Sequence, residues 1–217
     1  MEFFTTHALV LRAAPYREAS RMLTLLTADN GKISAAAHGT QSNKSTLRPA
    51  VQPLVFSEMT LKRQGDRYTL TEAHIVEQFV ELTAELEPFA LASYFAELVE
   101  TIADEDAPTS NFLSLILNAL KALCGKHDTP IVKAATELRA MCLAGFAPPL
   151  DRDTLGDTQL DDGAAAAMRH VAQCEPARLY AFRLGDPTLF AEACETYVLT
   201  QLERGFKTLD YYYKVKT

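Results

Sequence analysis

Over roughly the first third of the chain the apolar positions fall in short runs between turn-forming residues; beyond it they recur at helical spacing. Residues 5–12 (TTHALVLR) and 20–27 (SRMLTLLT) are apolar runs of strand length bounded by turn signals. Pro15-Tyr16 is expected to break the chain between them. Asp29-Asn30-Gly31 supplies the left-handed positions of a tight hairpin leading into Lys32–Ala37. Residues 39–50 (GTQSNKSTLRPA) read as a polar, flexible loop. Leu54–Leu61 and Tyr68–Ile75 follow, joined by Gln64-Gly65-Asp66. In the last run Arg67, Thr69 and Thr71 alternate with Tyr68 and Leu70, the period of a half-buried strand. Five such strands predict a small closed barrel of the oligonucleotide-binding (OB) type over residues 1–79.

After Phe79 the period lengthens to that of a helix. Phe89, Ala92, Phe95, Ala96, Val99 and Ile102 form one stripe just after Pro88, a good first-turn residue. Phe112, Leu115, Ile116, Ala119, Leu120 and Leu123 form a second, with Ser110 as the expected cap and Gly125 as the stop. Thr129-Pro130 opens a third helix carrying Ile131, Ala135, Leu138 and Cys142, ended by Gly145 and Pro148-Pro149. Residues 151–162 read as an acidic loop, 164–174 as a short alanine-rich helix and 176–182 as a turn. A last helix starts at Asp186-Pro187 and runs through Leu202. The expected fold is α+β: a five-stranded OB barrel (1–79) followed by an all-α helical domain (80–217).

Composition narrows the chemistry. The net charge is −7, which alone argues against a nucleic-acid partner. Its distribution reverses that inference. Residues 1–79 hold nine Lys/Arg against seven Asp/Glu, whereas 80–217 hold twelve against twenty-one. A basic module on an acidic body can still hold phosphates, because binding follows local potential. The four cysteines (Cys124, Cys142, Cys174, Cys194) include no C-x-x-C pair, which favours reduced thiols over a disulfide framework or zinc ribbon. No basic stretch leads into an apolar one at the N-terminus, and no run approaches the ~20 apolar residues of a membrane span. The expected compartment is the cytoplasm.

Catalytic signatures are absent: no phosphate loop, no nucleophile elbow, no H-E-x-x-H, no dinucleotide glycine fingerprint. The pairs His170/Cys174 and Cys124/His127 have no second pair at ligand spacing, so packing or surface placement is the expected role. The segment Asp151–Asp162 partly resembles a calcium loop. Leu155 stands at a ligand position, however, and Asp162 is too short for the closing bidentate carboxylate. What remains is the basic set of the barrel: Arg12, Arg17, Arg21, Lys32, Lys44, Arg48, Lys62, Arg63 and Arg67, with Tyr16, His38 and Tyr68 nearby. Cations tracking phosphates while rings stack on bases is the pattern of a nucleic-acid groove. The same charges would also suit an ordinary solvated surface.

The ordered set Thr6–Leu11, Tyr16-Arg17-Glu18, Ser20-Arg21, Leu23–Thr27, Gly31-Lys32, Ala37-His38-Gly39 and Lys44-Ser45 resembles the opening of RecO proteins, a family of DNA repair and recombination mediators. The similarity continues through Leu70–Ala73, Tyr94–Leu98, Gly145–Pro148 and Phe206–Leu209, so it covers nearly the whole chain. This resemblance implies binding of single- and double-stranded DNA and annealing of complementary strands. It also implies help in loading RecA on DNA coated by single-strand-binding protein (SSB), in a nucleoid-associated protein. RecR and the SSB C-terminal tail are the implied partners, with RecA engaged indirectly; neither membrane nor cofactor is implied. Carried onto this chain, the DNA contacts would be Arg21, Lys32, Lys44 and Arg48, with Arg12, Arg17 and Arg63 as further candidates. Many RecO proteins place a four-cysteine zinc module after the Gly-Phe-x-Pro segment. Here Asp153 and Gly156 stand where its first C-x-x-C would be, so no zinc is expected. The acidic helical body would be the partner-binding half, with an apolar groove fringed by Lys121, Lys126 or Lys133 taking the SSB tail. The alternative function is a non-catalytic interaction scaffold whose barrel no longer binds DNA; an enzyme built from scattered residues ranks below both.

Overall fold

A computed structural model describes residues 1–40, 42, 45–105, 107–125 and 127–216. The chain divides into two compact units. One joins Met1–Val80 with Glu100–Leu113; the other joins Glu81–Val99 with everything from Ser114 onward.

The first unit is built on five strands: β1 (Glu2–Tyr16), β2 (Ser20–Thr27), β3 (Lys32–Ala37), β4 (Phe56–Gln64) and β5 (Arg67–Glu77). They close in the order β1-β2-β3-β5-β4, all neighbours antiparallel except β3 and β5. The parallel closure is short, from Ala35 opposite Tyr68 to Ala37 opposite Leu70. Alternate residues point inward, so Val10, Leu23, Leu25, Met59, Leu61 and Leu70 fill the barrel. Met22, Thr24 and Leu26 alternate with the inward-facing Leu23 and Leu25, and so leave β2 on its outer face.

Two expectations change here. Pro15-Tyr16 does not break the chain: β1 runs through both, Pro15 opposite Arg21 and Tyr16 opposite Ser20. The turn is Arg17-Glu18-Ala19, with Arg17 at φ 53°. Proline is tolerated because β1 pairs with β4 only as far as Leu9, and beyond that point it pairs with β2 alone. The stretch 39–50 is also more than a polar loop. Leu47, Ala50 and Val51 share one helical-turn face, held by Val51 N–H donating to Leu47 O at 3.2 Å, and Val51 is fully buried in the barrel core. Burying that side chain contributes about 1.5–3 kcal/mol. The segment re-enters the barrel through Leu54 N–H to Val10 O (2.8 Å) and Val10 N–H to Val55 O (3.1 Å).

The β2–β3 turn follows the sequence reading. Gly31 has φ +70°, and a Cβ there would lie 2.3 Å from the carbonyl oxygen of Glu105. Thr27 donates through both N–H and Oγ1 to Gly31 O, and accepts at Oγ1 from Asn30 N–H. Thr109 closes the unit by donating its hydroxyl to Thr27 O at 2.6 Å. The helix that follows begins at Ser110, so Thr109, not Ser110, is the residue that precedes it.

The helices are α1 (Leu86–Ile102), α2 (Ser110–Cys124), α3 (Thr129–Leu143), α4 (Asp162–Gln173), α5 (Thr188–Leu202) and α6 (Lys207–Val215). In the second unit α3 is central, buried on nearly every side from Ile131 to Met141 and packed on α4 and α5. Asp128 caps its start by accepting from Ile131 N–H, and Arg139 caps the end of α4 by donating to Val171 O, Ala172 O and Cys174 O. The expected acidic loop 151–162 holds a two-stranded hairpin, β6 (Thr154–Leu155) and β7 (Thr158–Gln159), anchored by buried Leu155. Helix α6 lies beyond the last helix read from the sequence. Leu209 and Tyr212 bury one face of it, Thr208 N–H donates to Glu97 Oε2 at 3.0 Å, and the Phe206 ring meets Tyr94 edge-on at 5.4 Å.

Candidate nucleic-acid interface

On the outside of the barrel a cleft of about 420 Å³ crosses β2 and β3 between two turns. Its floor is made of small or unbranched side chains, Met22 on β2 with Ser34 and Ala36 on β3. Small residues there make the face concave. The β1–β2 turn supplies Tyr16 and Arg17 as one wall; Lys62, Gln64, Asp66, Arg67, Tyr68 and Thr69 around the β4–β5 turn supply the other. His38 borders the site, its Nδ1 held 3.0 Å from Ser20 Oγ. Arg17, Lys62 and Arg67 thus face a single acid, Asp66. Among the described residues, none of those three cations pairs with a carboxylate.

The cations expected from the sequence are divided by the structure. Arg17 is in the cleft, its guanidinium 5.1 Å from the Tyr16 ring centroid. Arg12 is held by Glu100, with Nη2 2.8 Å and Nε 2.9 Å from Oε1. Lys32 donates from Nζ to the backbone oxygen of the same Glu100 at 2.7 Å. These two therefore fasten the Glu100–Leu113 segment to the barrel. Arg21, on β2, donates to Gln52 Oε1 at 3.3 Å, and Gln52 Nε2 donates to the backbone oxygen of Arg48, so Arg21 is tied to the segment that caps the barrel and Arg48 lies within that segment. Arg63 leaves β4 on the face opposite Lys62, where it covers the Tyr68 ring at 5.7 Å and donates to Gly65 O. Lys44 lies outside the described residues.

Lys62 and Arg67 line the cleft but were not among the selected contacts. A signal was available. Counting outward from the inward-facing Leu61 and Leu70 places Lys62, Gln64, Arg67 and Thr69 on one face, and the register pairs Lys62 with Thr69 and Gln64 with Arg67.

The partner-binding candidates fare differently from one another. Lys121 is exposed on the last turn of α2, and Lys126 lies outside the described residues. Lys133 is corrected: only 3% exposed, it sits inside the helical unit with Nζ 2.8 Å from Glu137 Oε1 and 2.6 Å from Glu195 Oε2. Its charge is spent within the protein and cannot fringe a groove. Tyr94 OH donates to Glu137 Oε1 at 2.8 Å, and Tyr213 OH donates to Glu195. Burial disfavours the ammonium, yet the two carboxylates outweigh it and hold the Lys133 pKa above its ordinary value. Burial likewise raises Glu137 and Tyr94.

Metal ligation finds little support in the side chains present. At the place of the zinc module Asp153 pairs with Arg169 and Gly156 forms the β6–β7 turn, so neither offers a thiolate. His170 Nε2 lies 2.9 Å from Arg178 O, and among the described residues no three His, Cys, Asp or Glu side chains gather to hold an ion.

Residues 1–79 match the family model described as recombination protein O N terminal, and residues 84–180 match that described as recombination protein O C terminal. The chain belongs to the recombination protein O (RecO) family. It is similar to the DNA repair protein RecO of Pelotomaculum thermopropionicum (37% identical over 152 residues, 70% of this chain and 59% of that protein). It is also similar to that of Desulforudis audaxviator (39% over 151 residues, 69% and 60%). Against the RecO of Acetivibrio thermocellus the identity is 25% over 243 residues, covering 97% of this chain and 96% of the relative. The chain thus spans about three fifths of two of these relatives and nearly all of the third. Among the described residues of this RecO chain, no helix is long and apolar enough to cross a membrane.

Proposed function

We propose that this RecO chain is a non-catalytic, nucleoid-associated mediator of DNA repair and recombination, and that its barrel is of the OB type. In that reading the cleft between the β1–β2 and β4–β5 turns holds single- and double-stranded DNA through its phosphates. Complementary strands repel one another; a surface that neutralises phosphates while leaving base edges free lowers the barrier to annealing, and no bond is made or broken. The observation that carries the reading is the meeting of Arg17, Lys62 and Arg67 around one acid on a small-residue floor. In OB barrels that strand face and those two turns are where oligonucleotides lie.

The helical unit is proposed as the half that meets RecR and the SSB tail, and through them assists RecA loading. A groove of about 700 Å³ with Ile131, Tyr180, Phe182 and Leu184 as apolar walls carries one cation, Arg183, and one acid, Asp128, and is the place proposed for an apolar, acidic tail. Zinc is not part of the proposal. The scaffold alternative draws on Arg12 and Lys32, both engaged by Glu100.

Titrating a fluorescein-labelled oligonucleotide with the protein at several NaCl concentrations tests the proposal. Affinity that falls steeply with salt supports phosphate contacts, and absence of binding at 50 mM NaCl leaves the scaffold. Annealing of two labelled complementary strands, without turnover of either, tests the remainder.

A further inference from the structure

Helix α6 carries a charge pattern opposite to that of its surroundings. Residues 203–216 hold Arg204, Lys207, Lys214 and Lys216 against Glu203 and Asp210, whereas the remainder of 80–217 holds eight Lys/Arg against nineteen Asp/Glu. Leu209 and Tyr212 anchor one side of the helix. On the other side Lys207, Tyr211 and Lys214 stand at i, i+4 and i+7, which is a single stripe. Tyr211 is 45% exposed. Among the described residues neither Lys207 nor Lys214 forms an ion pair. At ~1.5 Å rise per residue the two lysines stand roughly 10 Å apart along the axis with the phenol ring between them. Tyr213, 47% exposed, lies off this stripe, with its hydroxyl donated to Glu195 and Lys216 Nζ 5.9 Å from its ring centroid.

We infer that the exposed face of α6 is a contact for single-stranded nucleic acid, with Lys207 and Lys214 on phosphates and Tyr211 stacked on a base. Alternating cation and exposed ring is how sequence-tolerant strand binding is built, because every base has a face to stack on. An acidic peptide is the less fitting occupant. The exposed Tyr211 ring between the two lysines gives a base a face to stack on and adds nothing for a carboxylate, while Asp210 within the stripe opposes phosphates and carboxylates alike. The inference stands apart from the barrel cleft and would survive its failure. If both hold, one chain has two surfaces for strands.

The test uses the full chain and a fluorescein-labelled oligothymidylate, read by anisotropy across a NaCl series. K207E/K214E is expected to flatten the log–log salt slope by about 1.4, at ~0.7 per single-strand phosphate contact, and to weaken binding about 25-fold at 0.1 M NaCl. Y211A is expected to weaken it roughly tenfold at all salt concentrations, a stacking loss. K207R/K214R and Y211F should bind as the natural protein does, and unchanged melting curves establish that the surface variants are folded. Photo-crosslinking of a bromodeoxyuridine oligonucleotide should modify the tryptic peptide 208–214, and should still do so in K62A/R67A. Natural affinity and slope in both K207E/K214E and Y211A would overturn the inference. So would loss of binding to an Asp-rich, apolar peptide in K207E/K214E while oligonucleotide affinity stays the same.

Discussion

Replacing Lys62 and Arg67 together by alanine separates a strand-holding cleft from a merely charged barrel. Both side chains face the cleft, and neither pairs with a carboxylate among the described residues. Their removal should therefore leave no orphaned partner. If each neutralises one phosphate of a single strand, affinity scales with roughly the −0.7 power of salt per contact. Between 1 M and 0.1 M salt each contact is then worth about fivefold, and two contacts about 25-fold. The log–log slope should flatten by about 1.4 in the same measurement. The matched control is R12Q. Arg12 is as cationic as Arg67, but its charge is taken by Glu100 at 2.8 Å. A general field effect would weaken binding equally in both variants, whereas a built cleft predicts a loss in K62A/R67A and near-natural affinity in R12Q. Equal losses, or an unchanged slope in K62A/R67A, would refute the reasoning.

Other outcomes follow from the same geometry. D66N removes the acid of the cleft and should tighten oligonucleotide binding about fivefold at 0.1 M NaCl, checked in the same titration. K133M leaves Glu137 buried without its cation and should cost about 3–5 kcal/mol in urea unfolding, with DNA affinity little changed in whatever remains folded. Lys133, Tyr94 and Tyr213 are all raised by the fold, so the stability they contribute is complete below the ordinary lysine value of 10.5 and the ordinary tyrosine value of 10.0. It is lost as pH rises through their folded values; a melting temperature that stays level from pH 9 to 12 would contradict this. G31A places a Cβ against Glu105 O in a left-handed turn and should destabilise by about 1–3 kcal/mol, read by chemical denaturation.

The strands were legible because barrel walls repeat every second residue and the β2–β3 and β4–β5 turns carry Asn, Asp or Gly; the β1–β2 turn, Arg17-Glu18-Ala19, carries none of them. The plug at 47–51 was not, since three apolar residues inside a polar stretch announce nothing until the barrel mouth they fill is known. Helix α6 was missed for a related reason: only Leu209 and Tyr212 of its nine residues are buried, too few for a periodic signal. Of the residues lining the cleft, Arg17 stood among the further candidates that the resemblance implied. Arg12 and Lys32, expected among the DNA contacts, are both engaged by Glu100, which lies 88 and 68 residues away. A cation's availability depends on such distant acids, and local sequence does not report them. Lys133 was misread for the opposite reason, since its partner Glu137 is one helical turn along, a spacing usually found at surfaces.

The Glu100 anchor bears on how long a ligand the barrel can accommodate. The exposed side of β2 and β3 is open at Met22 and Ala36, but Thr24 Oγ1 and Lys32 Nζ are already committed to Glu100. At ~3.3 Å per strand residue, that leaves a platform of roughly 10 Å before the chain's own Glu100–Leu113 segment blocks the way. A polynucleotide laid along the sheet would run into this barrier after a couple of bases and have to veer off over a turn. The occluded length on the barrel should accordingly be short, and the strand should leave it sharply bent.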